Sequence, residues 1–285
     1  MQDFSDKGTG RGQVVSWDVY SKLSTRGTTL TETVAMPSSN YTVRQATGTV
    51  YEWGVEVPFT SFLAMLSQHN VTKVVKEVLA RDCREALDIA ARAQFARTLL
   101  RFVGTNASQG VLTTNGTATA TNTSQLNKTH HNTIIDEMKE RNIPAFRGDD
   151  YICIAHPKTL RPIKTGLEAV HQYVETGHQK ILRGEIGRYD GARFLEQTNI
   201  AVGTGTAPNG TAWTGALSNW AFYMGSDTVA EIMVIPPEIR GKVPSDYGRS
   251  FGVAWYALQG FAIVYDSNSD PNGTNSRIVM WDSAA

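Results

Sequence analysis

VTKVVKEVLARDCREALDIAARAQFARTLLRFV, running from Val71 to Val103, is a stretch of 33 residues without glycine or proline. Val71, Val74, Val75, Val78, Leu79, Ala86, Leu87, Ala90 and Ala93 recur at helical spacing, which predicts one amphipathic helix over 71–103. At 1.5 Å per residue it would be about 50 Å long. A compact chain of this length has a radius of gyration of about 19 Å, so the helix would cross the whole diameter. Either the molecule is elongated or the helix breaks. Arg92, Arg97 and Arg101 follow the last acidic residue of the run, Asp88. They are either a solvated face favoured by the helix dipole at its C-terminal end or a contact for phosphates.

Ahead of this run the chain reads as β from Val14 to Val57. Val14 to Trp17 leads in, and Tyr41 to Arg44 and Thr49 to Val57 alternate with a period of two. Leu30 to Ala35 is expected to be the leading strand of a hairpin, with its turn at Met36-Pro37-Ser38-Ser39-Asn40. Apart from Leu30, Val34 and Met36 that strand is mostly Thr and Glu, so the hairpin has little apolar material to bury on its own subunit and reads as an arm.

Behind the run the pattern is mixed. A short amphipathic helix is expected over Thr133–Asn142, ended by Ile143-Pro144, then an apolar strand over Tyr151–Ala155. Pro157 suits the first turn of another helix, and Leu167–Val174 reads as a further short one. Ala192–Glu196 is a strand entered through turns at Gly184, Gly187 and Gly191. Trp220–Met224, Glu231–Ile235, Phe251–Val264 and Ile278–Trp281 return the chain to β. The strands are spaced too irregularly for a Rossmann or barrel alternation, and no repeat is visible.

Composition bounds the rest. The 285 residues are 41% apolar and 19% charged, which is globular and suffices for a core. Lys plus Arg and Asp plus Glu are 27 each, so no global basic field draws the chain to nucleic acid or an anionic membrane, and any such contact is local. No apolar run approaches the roughly 18 residues of a membrane helix, and Met1 to Gly12 is polar where a signal peptide is apolar, so a cytoplasmic protein is expected. Cys83 and Cys153 read as small buried hydrophobes. Thr is abundant, 31 residues, clustered with Gly, Asn and Ser in Gly104–Asn132 and Gly203–Gly215, which are loops or sheet edges. The Asn-x-Ser/Thr sequons there, Asn106, Asn115, Asn122 and Asn127, carry no weight without a secretory route.

Catalytic patterns are thin. Gly241-Lys242 is followed by Val243, which lacks the hydroxyl of a phosphate loop, and Gly8, Gly10 and Gly12 precede any strand, so they form no dinucleotide fingerprint. His130-His131 point apart on any regular element and read as solvated loop histidines. His171 and His178 have no acidic or Cys partner at ligand spacing. Cys153 and His156 fall on opposite faces of a strand, which disfavours a nucleophile and base. Gly148-Asp149-Asp150 beside a strand resembles the paired carboxylates of metal-dependent nucleic-acid enzymes, but also spells ordinary turn chemistry, and Arg147-Gly148-Asp149 matches an adhesion tripeptide by chance.

Taken in order, the chain has a polar tail, an extended hairpin, a very long helix, a small α/β portion and a β return. This order resembles the tailed-bacteriophage major capsid (coat) proteins of the Hong Kong 97-like fold. More specific are Ile152-Cys153-Ile154-Ala155-His156-Pro157 and the run from Ile181 to Asn199, with its Gly184-Glu185-Ile186-Gly187 and Gly191-Ala192-Arg193-Phe194. They are similar to one branch of those proteins, as are Leu30-Thr31-Glu32 and Gly248-Arg249-Ser250-Phe251-Gly252-Val253-Ala254-Trp255. The resemblance spans roughly residues 14 to 265.

The resemblance implies an α+β fold with an N-terminal arm at 1–19, an E-loop β-hairpin at 20–60, a peripheral (P) domain with the spine helix at 61–130, an axial (A) domain at 131–235 and a β return to the P-domain at 236–285. It implies a virion shell subunit, not an enzyme and without cofactors or metals, assembled in the host bacterial cytoplasm as pentamers and hexamers around double-stranded DNA. Its partners would be itself, a separate scaffolding protein, a portal protein, the packaged double-stranded DNA and, where the shell carries one, a decoration protein; no membrane is involved. The scaffold is expected to be separate because only about a dozen residues precede the first strand. No Lys lies between Lys22 and Lys73, so a non-covalent shell is expected. Candidate inter-subunit contacts are Met36, Pro37, Ser38, Arg44, Tyr51, Trp53, Glu185 and Arg188, although Trp53 equally suits packing on its own subunit. Arg92, Arg97 and Arg101 are the candidate DNA-facing residues. Another phage structural component (tail, tube or decoration protein) is the alternative, and a metal-dependent nucleic-acid enzyme a more distant one.

Overall fold

A computed structural model describes residues 12–21, 23, 27–117, 124–171, 187–202, 205–206, 212–213 and 219–282. In chain order the elements are β1 (Val14–Tyr20), β2 (Val43–Thr49), β3 (Tyr51–Thr60), α1 (Ser61–Leu66), α2 (Val71–Phe95), β4 (Leu100–Gly104), β5 (Gly110–Thr113) and α3 (Lys128–Glu140). There follow β6 (Tyr151–Ala155), α4 (Pro157–His171), β7 (Arg188–Tyr189), β8 (Ala192–Glu196), β9 (Gly205–Thr206) and β10 (Ala212–Trp213). Last come β11 (Ala221–Met224), β12 (Val229–Gly241), β13 (Ser250–Ile263) and β14 (Ile278–Trp281). They form two compact units, one of Met1–Val15, Thr47–Ala96 and Val229–Ile263, the other of Ser16–Ala46, Arg97–Thr228 and Val264–Ala285.

The first unit is an antiparallel sheet in the order β12-β13-β3, with α2 packed on it. Helix α2 starts where Asn70 caps it, its side-chain oxygen accepting from the Lys73 N–H at 3.1 Å. Leu79 and Cys83 are its buried residues, set against Val253, Trp255 and Ala257, with Trp53, Val57, Phe59, Val75, Ala86 and Leu87 around them. The Trp255 indole donates to Asp82 at 2.7 Å, fixing the helix along the sheet. Gly260 lets the β2–β3 corner lie against β13: a Cβ there would stand 2.2 Å from the Thr49 carbonyl oxygen.

The helix expected over 71–103 breaks, which is the second of the two alternatives its length left open. It ends at Phe95, and Leu100–Gly104 is instead a strand, β4, parallel to β14. Leu99, Leu100, Phe102 and Val103 are all buried, which suits a strand covered on both faces better than an amphipathic helix with one wet side. Thr98 starts this turn of direction, its buried hydroxyl donating to the Ile278 carbonyl at 2.6 Å.

The second unit is built on a seven-stranded mixed sheet in the order β5-β4-β14-β11-β6-β8-β7, in which β4/β14 and β6/β8 pair in parallel. Its core joins Leu100, Phe102, Cys153, Tyr223, Val279 and Trp281 from the strands with Ile134, Ile135, Met138, Leu160, Ile163 and Leu167 from α3 and α4. The strands expected at 151–155, 192–196, 220–224, 231–235, 251–264 and 278–281 are all present. The predicted helix at Leu167–Val174 is no separate element, because 167–171 continue α4 through Pro162, and 172–174 lie outside the described residues. Pro157 opens α4, and His156 Nδ1 accepts from the Lys158 N–H at 3.1 Å, so His156 caps a helix.

Two further expectations are corrected. Leu30–Ala35 is no strand; β1 pairs with β2 in a two-stranded sheet, closed at Ser21 N–H to the Thr42 carbonyl (2.9 Å), and residues 27–42 form an exposed loop beyond it. Its Thr and lone Glu find neither a partner strand nor an apolar floor among the described residues. His130 and His131 are not solvated loop residues either: both are fully buried on α3, which begins at Lys128, five residues before the expected start at Thr133. Asn127 caps that helix through the His130 N–H at 3.0 Å.

Candidate assembly surfaces

The chemistry-bearing residues are consumed inside the fold. His130 faces two carbonyl oxygens, those of Gln125 (3.1 Å) and Asn106 (2.7 Å), and so clips loop segments to α3. His131 Nε2 faces the Tyr189 carbonyl at 3.3 Å, and a carbonyl only accepts, so Nε2 carries the proton. Nδ1 therefore accepts from the Tyr223 hydroxyl at 3.1 Å. Tyr223 and Cys153 are hydrogen-bonded in turn, and burial pushes the Cys153 thiol up to about 12, which makes it an inert packing group as expected. Cys83 is buried too and its thiol is also pushed up, first by burial.

Asp150 closes a turn with Arg147 and is itself buried, while its two oxygens face Arg188 Nε at 2.6 Å and Arg193 Nε at 2.8 Å. The Arg193 hydrogen bond, followed by the charges of both arginines, holds the Asp150 carboxyl below its usual range. The Gly148-Asp149-Asp150 motif is thus a turn whose second carboxylate is committed to two guanidinium groups. Among the described residues no group of three or more His, Cys, Asp and Glu is placed to hold a metal ion. No described helix is long and apolar enough to cross a membrane.

The candidate contact residues divide. Met36, Pro37 and Ser38 are exposed on the 27–42 loop, Met36 at 72%, and Arg44 and Tyr51 are exposed on β2 and at the start of β3. Trp53 is half-buried and packs within its own unit, its indole donating to the Gln259 carbonyl at 3.0 Å. Its replacement by Ala is expected to lower subunit stability by about 2 kcal/mol, read as a lowered urea midpoint of the unassembled chain; an unchanged midpoint with lost assembly would instead place Trp53 at an interface. Arg188 is exposed but ion-paired to Asp150, and Glu185 lies outside the described residues.

The three arginines sit on different segments of the chain. Arg92 is in the last turn of α2, Arg97 lies beyond the helix end, and Arg101 sits on β4 with its guanidinium 2.5 Å from Asp282. Arg101 is nearly buried, its side chain 11% exposed, and is withdrawn as a DNA-facing residue because its charge is neutralised inside the second unit.

Two surfaces escaped the sequence reading. Helix α1 has no buried residue: Phe62, Leu63, Met65 and Leu66 all face outward, Met65 at 82% exposure, under a Thr60 cap that accepts from the Leu63 N–H at 3.3 Å. The signal was legible as a capping Thr shortly before five consecutive apolar residues, Phe62 to Leu66, but six residues are too few for a periodicity test. The second is the β12–β13 hairpin tip, where Val243 and Tyr247 are fully outward and Asp246 and Tyr247 both have positive φ (49° and 51°). Both sites group exposed aromatic or aliphatic side chains.

No protein-family model matches the chain and no curated protein matches it. Solved structures do. The chain is similar over 100% of its length, and over 88% of the other chain, to the Cyanophage Pam1 capsid asymmetric unit, at TM-score 0.69 and 15% identity. It is similar over 96% of its length and 84% of the other chain to the capsid of Cyanophage P-SCSP1u (TM-score 0.65, 12% identity). Against the capsid of Ralstonia phage GP4 the values are 100%, 87%, 0.65 and 14%. The fold is therefore one found in the capsid chains of phages.

Proposed function

We propose that this chain is the major capsid protein of a tailed phage, a structural subunit that associates with copies of itself into the pentamers and hexamers of an icosahedral head enclosing double-stranded DNA. The observation that carries this reading is the full-length likeness to phage capsid chains. Two features of the chain agree with it. Apolar side chains on α1, on the 27–42 loop and at the β12–β13 tip lie exposed, and burial of such groups is what drives association. The polar groups that could have made a catalytic centre, His131, Cys153, Asp150 and His156, are each committed to packing, ion pairs or a helix cap.

In this reading the unit with α2 is the peripheral domain, the seven-stranded unit the axial domain, and the 27–42 loop the tip of the E-loop. A separate scaffolding protein, a portal and packaged DNA are the partners that such a shell requires, and the virion is its location. Association is the mechanism: many modest interfaces, each adding a few kcal/mol at its central apolar residues.

Electron microscopy of the expressed chain, purified with and without the scaffold gene product, tests this. Closed shells, tubes or capsomer rings are expected; a small monomer in both preparations would overturn the reading. In the same assay Phe62→Ser and Met65→Ser are expected to cut particle yield about tenfold while leaving the urea midpoint of the unassembled chain within about 0.5 kcal/mol, since neither side chain is buried in the subunit. Normal yield from both variants would remove α1 from the interface.

A further inference from the structure

The loop that was expected to be a strand is a built turn. The Val34 N–H donates to the Thr31 carbonyl at 3.1 Å, which puts Glu32 and Thr33 at the corners of a β-turn. Glu32 is the sole charged residue between Gly27 and Val43, and it is flanked by Leu30, Val34 and Met36, all more than half exposed. Glu32 is exposed and hydrated on its own, and a carboxylate among apolar side chains makes a short, directional charge-assisted hydrogen bond once it meets a donor.

The second unit contains a cavity with the complementary chemistry. It has a volume of about 470 Å³ and is walled by Trp17, Tyr20, Ile143, Pro144 and Tyr265, with Arg141 among its polar residues. That volume is in the range of pockets that bury a ligand. Two donors here lack acceptors: the Trp17 indole N–H and the Arg141 Nε, each shielded from solvent and without a hydrogen bond among the described residues. The Arg141 ion-pair partner, Glu137, is 3.8 Å away, beyond hydrogen-bond reach. Arg277, also in the wall, is already held by Asp227 at 2.7 Å and stacks over Tyr265. Asp18 is the one acidic residue lining the cavity, and it is exposed. A buried donor without an acceptor is expensive, and a carboxylate is the acceptor that meets a guanidinium and an indole N–H together.

We infer that the Thr31–Val34 turn of one copy seats in this cavity of a second copy, the Glu32 carboxylate accepting from Arg141 and Trp17 while Leu30 and Val34 cover the aromatic and proline wall. The inference rests on the reading that copies of this chain associate, and it assigns both sides of one contact: a turn that carries a single negative charge, and an apolar pocket with two unsatisfied donors.

The test uses the whole unassembled chain and a fluorescein-labelled peptide of residues 27–42, so it does not depend on shells forming. Saturable binding is expected, weakened about tenfold by Glu32→Gln in the peptide or by Arg141→Gln in the chain, with the two changes together no worse than either alone. Losses that simply add, or a Glu32→Gln peptide that binds as tightly as the native one, would overturn the contact. So would displacement of the fluorescence by a peptide of residues 1–12 in place of the loop, because the cavity would then be the site of the chain's own N-terminal segment. Circular dichroism of the Arg141→Gln chain establishes that it is folded, and Trp17→Phe, which keeps the wall and removes the N–H, provides a second variant with the same expected loss. Shells that assemble normally from Glu32→Gln chains would sink this inference and leave the capsid reading standing; the capsid reading itself fails only if the unaltered chain never assembles.

Discussion

Replacing Asp282 by Leu is expected to destabilise the subunit by about 3–5 kcal/mol. Asp282 is 6% exposed and makes three contacts, two of them with β4. Its Oδ2 pairs with Arg101 on β4 at 2.5 Å, its Oδ1 accepts from the Trp220 indole at 3.0 Å, and its own N–H donates to the Phe102 carbonyl at 2.9 Å. Removing the carboxylate takes the Asp282 counter-charge from the nearly buried Arg101 and the Asp282 acceptor from the Trp220 indole. The desolvation already suffered by the guanidinium is then offset less well. Asp282→Asn keeps an acceptor and should cost less than Asp282→Leu. The double change Arg101→Leu with Asp282→Leu should recover most of the loss, because an apolar pair at a buried site is often as stable as the ion pair it replaces. Urea unfolding of the unassembled chain reads all three. If Asp282→Leu costs less than about 1 kcal/mol, the pair is solvated and the account of Arg101 as a purely internal charge is wrong.

Arg101 also shows where sequence reading stopped. As the third arginine of an uninterrupted run without acids, it read as one face of a helix. Its counter-ion lies 181 positions away in sequence, at the end of β14, and no local pattern points there. The helix itself was legible, because Val71–Phe95 obeys the 3.6 period and Asn70 is a good cap, but its end was not. Leu99, Leu100, Phe102 and Val103 fit an apolar helix face and a strand buried on both sides equally well, and only pairing with β14 decides between them. The strands with five or more alternating or continuous apolar residues were all legible. The 27–42 loop was not, because Thr has high β-propensity and the reading of Leu30–Ala35 followed that propensity without a partner strand to satisfy it.

The histidines failed for a related reason. A His-His pair between Thr, Lys and Asn reads as polar, but His131 packs among the rings of Tyr189, Phe194 and Tyr223, and a neutral imidazole is a tolerable core residue when both nitrogens are satisfied. The motif that was legible, Ile152 to Pro157, owes this to its doing several local jobs at once: an apolar strand, a capping His156 and a proline in the first turn of the next helix.

Acid is expected to weaken the subunit through His131, between its ordinary value of 6.5 and its folded value of about 4. Burial is the first cause that lowers its value from 6.5 to about 4; the Lys139 charge acts in the same direction, and the Tyr189 carbonyl and Asp190 oppose them. The folded chain therefore keeps His131 neutral where the unfolded chain has already bound a proton. Below pH 6.5 the unfolded state holds more protons than the folded one, so stability falls as pH falls, and the loss is complete near pH 4. At about 1.4 kcal/mol for each tenfold difference in proton affinity, the total is about 3 kcal/mol. Asp150, whose value is lowered from an ordinary 3.8, takes away its contribution only below that window, and His156, lowered chiefly by burial but far more exposed, adds in the same direction with less weight. The consequence is local as well as global. A proton on Nδ1 would face the Tyr223 hydroxyl, which now donates to it, so the link from Cys153 through Tyr223 and His131 to the Tyr189 carbonyl would have to reverse or break. Tyr189 lies in β7, beside the Arg188 that pairs with Asp150, and the β7–β8 hairpin should loosen first. Urea midpoints of the unassembled chain measured from pH 7 to pH 4 should fall steadily through this range, and the hydrogen-exchange protection factor of Tyr189, taken relative to the intrinsic rate at each pH, should fall with them. His131→Gln keeps a donor for the carbonyl and an acceptor for the hydroxyl but cannot titrate, so its midpoint should be lower than that of the unaltered chain at pH 7 yet nearly flat down to pH 4. A variant curve parallel to that of the unaltered chain would show that the acid sensitivity resides elsewhere.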